Sequence, residues 1–195
     1  MAVAFRLHEP VTEAVLLALS RANPQYRFET TAAGELVVSP LTGTEFSFAE
    51  GELFAQVQAW NKQRRLGRVT PASGGITLSD GAIKGPDIAF ISNERWATLG
   101  EDDRNRAFVR VAPTVVFELL SPNDDPALRE KIREYLRTGT PVAVLLDPRD
   151  RSVRIFRSLG AQPEILFNPT AAPICEEMPG FTLDAKAVFD ACEAP

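Results

Sequence analysis

The sequence predicts an α/β fold in which a mixed sheet is flanked by helices, and three observations carry that reading. Residues 114–120 (TVVFELL) and 141–146 are nearly continuous apolar runs on either side of a helical stretch, 127–137, that Gly139 closes. A strand, helix and strand in that order form a parallel pair joined by a right-handed crossover. Residues 152–157 then alternate after a tight turn at Arg149-Asp150, so they read as an antiparallel neighbour with one wet face, which makes the sheet mixed. Finally, 195 residues with 45% hydrophobic and 24% charged side chains match the globular average. A chain of that size buries about 70% of its unfolded surface as one domain. The expectation is a single domain over residues 1–195, with 1–25 as a leader and first helix.

Taken in order, Thr12 can cap a short helix with Val15, Leu16 and Leu19 at helical spacing, which Asn23-Pro24 stops. Residues 26–30 and 35–39 alternate around an Ala-Ala-Gly turn and read as a β-hairpin ended by Pro40. From Phe46 to about Arg65 the apolar positions Phe46, Leu53, Val57 and Trp60 mark a long helix, with Gly67 placed to cap it. Three β-rich pieces follow near 68–70, 75–78 and 87–92, and the charged residues 101–106 read as an exposed loop. The segment from Ser121 to Pro126 (SPNDDP) leads into the crossover helix. The tail holds a possible strand at 164–167, the phrase MPGFTLD and a last short helix near 186–192.

Scarcity excludes much chemistry. The apolar runs, such as residues 142–146, fall far short of the ~20 residues of a membrane span, and the first ten residues lack the pattern of a secretion signal. A cytoplasmic location is therefore expected. Cys175 and Cys192, both in the tail, cannot frame a fold of this size. The one histidine, His8, lies in the leader beside no serine or cysteine motif, which argues against a Ser-His-Asp or Cys-His mechanism and against zinc. No glycine-rich phosphate loop of the P-loop or Rossmann type occurs. Carboxylates, lysines and a hard cation remain.

Asp87 follows Pro86 at the mouth of the strand PDIAFIS, and Glu118 lies inside TVVFELL. A carboxylate within a doubly buried strand costs several kcal/mol unless it is paired, ligated or protonated. From the strand alone an ion pair with an arginine weighs about as much as a functional role. Mg²⁺ takes oxygen ligands, commonly one or two carboxylates with waters and substrate phosphate. On the following helix Lys131 flanks the apolar stripe of Leu128, Ile132, Tyr135 and Leu136, where a lysine can reach inward, and Arg129 flanks the other border. As a border residue, Lys131 is expected to add little packing. Ser121 reads as a turn and cap residue, and Trp60 and Trp96 as core or rim aromatics.

The strings SPLTGTE, AWNKQ, PASGG, LSDG, GPDIAF, ERW, VAPTVVFELLSPND, KIREY, TGTPVAVLLDPRDRSVRIFR and MPGFTLD occur in that order. The series resembles the Uma-two family of putative restriction endonucleases, over roughly residues 26–190. That family belongs to the PD-(D/E)XK nuclease superfamily, so the resemblance implies a restriction-endonuclease-like core and an active site that binds Mg²⁺, with Mn²⁺ possible. It implies that Asp87 and Glu118 are the motif's two acids and the metal ligands. The motif's lysine belongs two residues after the second acid, where this chain has Leu120, and Lys131 of KIREY is the migrated substitute. An assisting acid on the first long helix is matched by Glu45 in TGTE, although helical geometry favours Glu50, on the face of Phe46 and Leu53.

The functional expectation is a Mg²⁺-dependent endonuclease that cuts nucleic acid, with DNA the expected partner, as a homodimer; the sequence does not choose between DNA and RNA. Asp87, Glu118, Lys131 and Glu45 would be its catalytic residues. Adjacent strands lie about 4.8 Å apart, so the two acids should converge on one face. The alternative is a catalytically inactive pseudo-nuclease that binds DNA or protein, for which Leu120 and the net charge of −5 speak. A local basic footprint at Lys62, Arg64, Arg65 and Arg68 is equally well read as a solvated helix end.

Overall fold

A computed structural model describes residues 2–41, 43–121 and 125–193. Strand β1 (Val3–Phe5) pairs antiparallel with β3, setting Val3 opposite Val38. The leader is thus partly ordered as an edge strand, because its Val-Ala-Phe alternation matches that of its neighbour. Helix α1 (Glu13–Ala22) starts where Thr12 accepts the Val15 N–H and ends at Asn23, as its sequence signals predict. Strands β2 (Tyr26–Thr30) and β3 (Leu36–Pro40) form the expected hairpin, completing a three-stranded sheet in the order β1-β3-β2.

Helix α2 (Thr44–Arg64) is the long helix, and it does not end on a glycine. Its C-cap is Arg65, in the left-handed region at φ 56°, while Gly67 opens strand β4 (Gly67–Pro71). The glycine is needed for close approach: a Cβ there would lie 2.1 Å from the Ile91 carbonyl oxygen. Asn61 fixes this corner, its side chain donating to the Gly67 carbonyl and accepting the Gly67 N–H at 3.0 and 3.1 Å.

Strands β5 (Ile76–Thr77), β6 (Ile83–Lys84) and β8 (Val109–Arg110) make a small side sheet. Between them run β7 (Ile88–Ser92) and two short helices, α3 (Asn93–Ala97) and α4 (Glu101–Arg104). The charged run expected to be a loop therefore contains a helical turn. Three acids in its first turn favour it through the helix dipole. Strand β9 (Val115–Leu119), helix α5 (Asp125–Arg137) and strand β10 (Val142–Asp147) form the crossover unit. Half of the SPNDDP lead-in, 122–124, lies outside the described residues. Gly139, at φ 103°, closes the unit's helical end. Strands β11 (Ser152–Phe156) and β12 (Glu164–Phe167) continue the sheet, followed by the pair β13 (Ala172–Pro173) and β14 (Thr182–Leu183) and helix α6 (Ala185–Asp190).

The main sheet has six strands in the order β12-β11-β10-β9-β7-β4. Only β9 and β10 run parallel, so the sheet is mixed. One face packs on α2 and the tail through Phe90, Phe117, Leu53, Trp60, Phe181 and Phe189. Trp60 is a core aromatic, edge-on to Phe90 at 5.1 Å. The other face, carrying Ala89, Ile91, Val116 and Ala143, is covered by Ile132 and Tyr135 of α5. By alternation Glu118 points to this second face, as Val116 does. Ile88 lies opposite Phe117, and one step further that register sets Asp87 beside Glu118.

Candidate active site

Strand β2 brings charge to the site because its residues alternate. Tyr26, Phe28 and Thr30 take one side, with Phe28 against the small core of Leu16 and Leu36, and Arg27 and Glu29 take the other. Two bonds dock this strand next to Asp87. The Ile83 N–H donates to the Thr30 hydroxyl at 2.9 Å, and the Gly85 N–H donates to Glu29 Oε1 at 2.8 Å.

Four elements then converge on the end of β9. Asp87 Oδ2 accepts the Leu119 N–H at 2.8 Å, which ties the first acid to the strand of the second. Lys131 reaches inward from α5 and donates to Glu118 Oε1, Glu29 Oε1 and the Gly85 carbonyl, each at 2.9 Å. Those three acceptors match the three protons of an ammonium. The buried Tyr135 hydroxyl donates to Glu118 Oε1 at 3.0 Å. Arg27 bridges Asp87 to a further acid, bonding Asp87 Oδ1 at 2.9 Å and Glu50 at 3.0 and 3.1 Å. Lys84 pairs with Glu134 at 2.9 Å beneath the same wall.

The electrostatics follow from burial. Desolvation pushes the Glu118 carboxyl up to about 8, with Asp87 and Glu29 adding to the rise and Lys131 opposing it. The Tyr135 hydroxyl and the Lys131 ammonium both donate to Glu118 Oε1. For Lys131 burial favours the neutral amine, but Glu118, Glu29 and Asp87 outweigh it and hold the ammonium charged. Burial likewise pushes Glu29 up, and Lys131 and Lys84 overcome it, so that carboxyl titrates below its ordinary value. The Tyr135 hydroxyl is raised by burial beside Glu118 and stays protonated.

Among the described residues Glu29, Glu50, Asp87, Glu118 and Glu134 meet Arg27, Lys84 and Lys131 through these pairs, and Glu134 also meets Arg137 at 3.8 Å. Among the described residues no three His, Cys, Asp or Glu side chains form a ready-made metal cluster. A hard cation needs less than that: one or two carboxylates, with waters and phosphate oxygens for the rest. Asp87 and Glu118 carry oxygens of that kind. A cavity of about 930 Å³, lined by Lys84, Asp87, Glu118, Ser121 and Lys131 among others, opens onto the pair.

The structure brings Asp87, Glu118 and Lys131 together. Glu45, exposed in the first turn of α2, lines the same cavity. Glu50, a turn and a half later, is the acid joined through Arg27 to Asp87. Leu120 is fully buried against Leu128 and Leu145, so the position two residues after Glu118 is committed to packing, and the cation comes from α5. Lys131 is no loosely held border residue, with 15% of its side chain exposed, whereas Arg129 is exposed. Sequence reasoning missed Arg27, Glu29, Lys84, Glu134 and Tyr135. For the first two a signal existed, since an alternating strand with two charges on one face must present them to something polar.

The basic cluster lies elsewhere. Gly67 pairs with Ser92 at one end of β4, and Pro71 pairs with Ile88, next to Asp87, at the other. Lys62, Arg64, Arg65 and Arg68 therefore lie at the end of the sheet away from the acids, with the Arg68 guanidinium 4.1 Å over the Trp96 ring.

The family model Uma2, described as putative restriction endonuclease, matches residues 13–186. A crystal structure of a putative nuclease belonging to DUF820, from Anabaena variabilis, superposes with a TM-score of 0.76 at 22% identity. The superposition covers 94% of this chain and 100% of that one, and shows a shared fold. No curated protein matches the chain.

Proposed function

Because the chain belongs to the Uma2 family of putative restriction endonucleases, we propose that its buried acids and lysine form a divalent-metal-dependent site that hydrolyses phosphodiester bonds of nucleic acid, DNA in the first instance. The observation that carries this reading is the Lys131 ammonium, which lies 2.9 Å from Glu118 on the Asp87 face of the sheet. It supplies from α5 the cation that β9, with Leu120, does not.

In this reading Asp87 and Glu118 would hold Mg²⁺, and Mn²⁺ would be able to replace it. Such an ion activates water and offsets charge developing on the phosphate. Lys131, fixed by Glu29 and the Gly85 carbonyl, orients the attacking water. Glu50 assists from α2 in the part that the sequence resemblance gives to Glu45. We take residues 1–195 as one nuclease-like domain working in the cytoplasm. A homodimer suits cleavage of both strands of a duplex, since twofold pairs are the commonest assemblies. Sedimentation at micromolar concentration should then give a species of twice the chain mass, and a monomer would limit the activity to nicking.

A second reading, a pseudo-nuclease that binds DNA or protein without cutting, is favoured by the burial of Leu120 and by the three acceptors that already satisfy the Lys131 ammonium. Ion binding separates the first reading from a purely structural cluster. Glu118 must lose its proton to ligate, and in the folded protein it titrates near 8. Mn²⁺ affinity should therefore weaken about tenfold for each pH unit below 8 and level off above it, in calorimetric titrations at pH 6, 7 and 8.5. A flat profile would mean that Glu118 is not a ligand.

A further inference from the structure

We propose that Arg27 is a built-in counter-cation, bridging Asp87 and Glu50 and holding the Asp87 oxygen that a divalent ion on Asp87 and Glu118 would take, so that taking up the ion and releasing Arg27 are one exchange. The inference rests on the metal-dependent reading above and adds a competitor to it.

The geometry is that of a cation site already filled. Arg27 Nη1 bonds Asp87 Oδ1 at 2.9 Å, and Nη2 bonds both Glu50 oxygens at 3.0 and 3.1 Å. Three carboxylate oxygens from two elements thus converge on one guanidinium. The second Asp87 oxygen is spent on the Leu119 N–H at 2.8 Å. The other oxygen is the one Arg27 holds, and a ligating ion must contend with it.

The strand is built so that this side chain can leave without the strand following. Arg27 lines the cavity with 27% of its side chain exposed. Glu29, on the same face, is fastened to Lys131 at 2.9 Å and to the Gly85 N–H at 2.8 Å, and Thr30 is fastened to the Ile83 N–H. These contacts keep β2 docked when Arg27 swings away.

Charge favours the exchange. A dication meets the Asp87 and Glu50 carboxylates with twice the charge of the guanidinium it replaces. Deprotonation cannot vacate the position, because a guanidinium stays charged in proteins. Only competition by another cation, or movement of the side chain, frees Asp87.

Competition is reciprocal, so removing Arg27 must strengthen ion binding. In calorimetric titration with MnCl₂ at pH 8.5, Arg27→Gln should bind Mn²⁺ about tenfold more tightly than the unaltered protein, within the usual range of coupling between sites. The rise in melting temperature on adding Mn²⁺ should be larger too. Arg27→Lys keeps a charge but loses the fork that spans both acids, so it should give an intermediate gain. It also provides the comparison if Arg27→Gln folds only with the ion present. Unchanged or weaker Mn²⁺ binding in both variants would overturn the exchange. Asp87→Asn separates the two claims. If it abolishes binding while the Arg27 variants match the unaltered protein, the exchange alone fails. If Mn²⁺ binds equally with and without Asp87, or to none of the proteins, the metal reading fails and takes the exchange with it.

Discussion

Replacing Lys131 with alanine is expected to destabilise the protein by about 3–5 kcal/mol, the cost of removing one partner from a buried ion pair. The sequence suggests the opposite, since a residue flanking an apolar stripe normally adds little. In the structure the ammonium bonds Glu118, Glu29 and the Gly85 carbonyl at 2.9 Å each. Its loss would leave the buried Glu29 carboxylate without its nearest cation and the Glu118 carboxyl without one of its donors. For a domain of this size each kcal/mol moves the melting temperature by roughly 2–4 °C, so a fall on the order of 10 °C should appear in a thermal scan. Arg129→Ala, at an exposed position of the same helix, should change stability by no more than about 0.5 kcal/mol. If the two variants melt together, Lys131 is not the clamp that its geometry describes.

Glu118→Gln should show the reverse pattern, with almost no loss of stability at neutral pH and a very large loss of activity. At pH 7 the buried carboxyl, titrating near 8, is mostly protonated, and glutamine copies that form. Its carbonyl can accept from Lys131 and Tyr135 as Oε1 does. The sign of the pH dependence checks this. The folded pKa is raised from 4.5 to about 8, so between those values the native state holds a proton that the unfolded chain has released. Stability due to this group therefore falls as pH rises from about 4.5 to 8, and Glu118→Gln should lack that slope in denaturant titrations across the range. Metal-dependent cleavage, in contrast, should fall on the order of a thousandfold or more, the several kcal/mol of stabilisation that a ligated ion contributes. A variant that keeps most of its activity would remove Glu118 from the site.

How far the chain could be read without coordinates depended on whether a signal was local. The crossover unit of β9, α5 and β10 was legible because continuous apolar runs and a helical stripe leave little choice. So was the polarity of β11, from its turn and alternation. Asp87 and Glu118 stood out because an acid in or beside a buried strand is costly. Lys131 could be picked only by its position beside the stripe and by the KIREY resemblance, and its role as a three-way clamp was not legible, since two of its acceptors come from β2 and the β6–β7 turn. Arg27 and Glu29 were hidden for the same reason. A hairpin's charged face shows in the sequence, but what it faces does not. At Gly67 a plausible cap signal competed with a packing demand from Ile91, across the sheet, and packing decided. Glu45 and Glu50 show the limit of string matching on a helix, where five residues reach from an exposed first turn to the guanidinium that binds Asp87.

The central claim is that Asp87, Glu118 and Lys131 make a metal-dependent phosphodiesterase, and cleavage itself tests it most directly. Purified protein and its Asp87→Asn variant would be incubated with end-labelled single- and double-stranded DNA in Mg²⁺ or in EDTA. The account predicts shortened products only for the unaltered protein in Mg²⁺. Intact DNA under every condition, from protein that still binds the ion, would contradict it and leave the pseudo-nuclease reading in its place, as would equal cleavage by the Asp87→Asn variant for the assignment of the site.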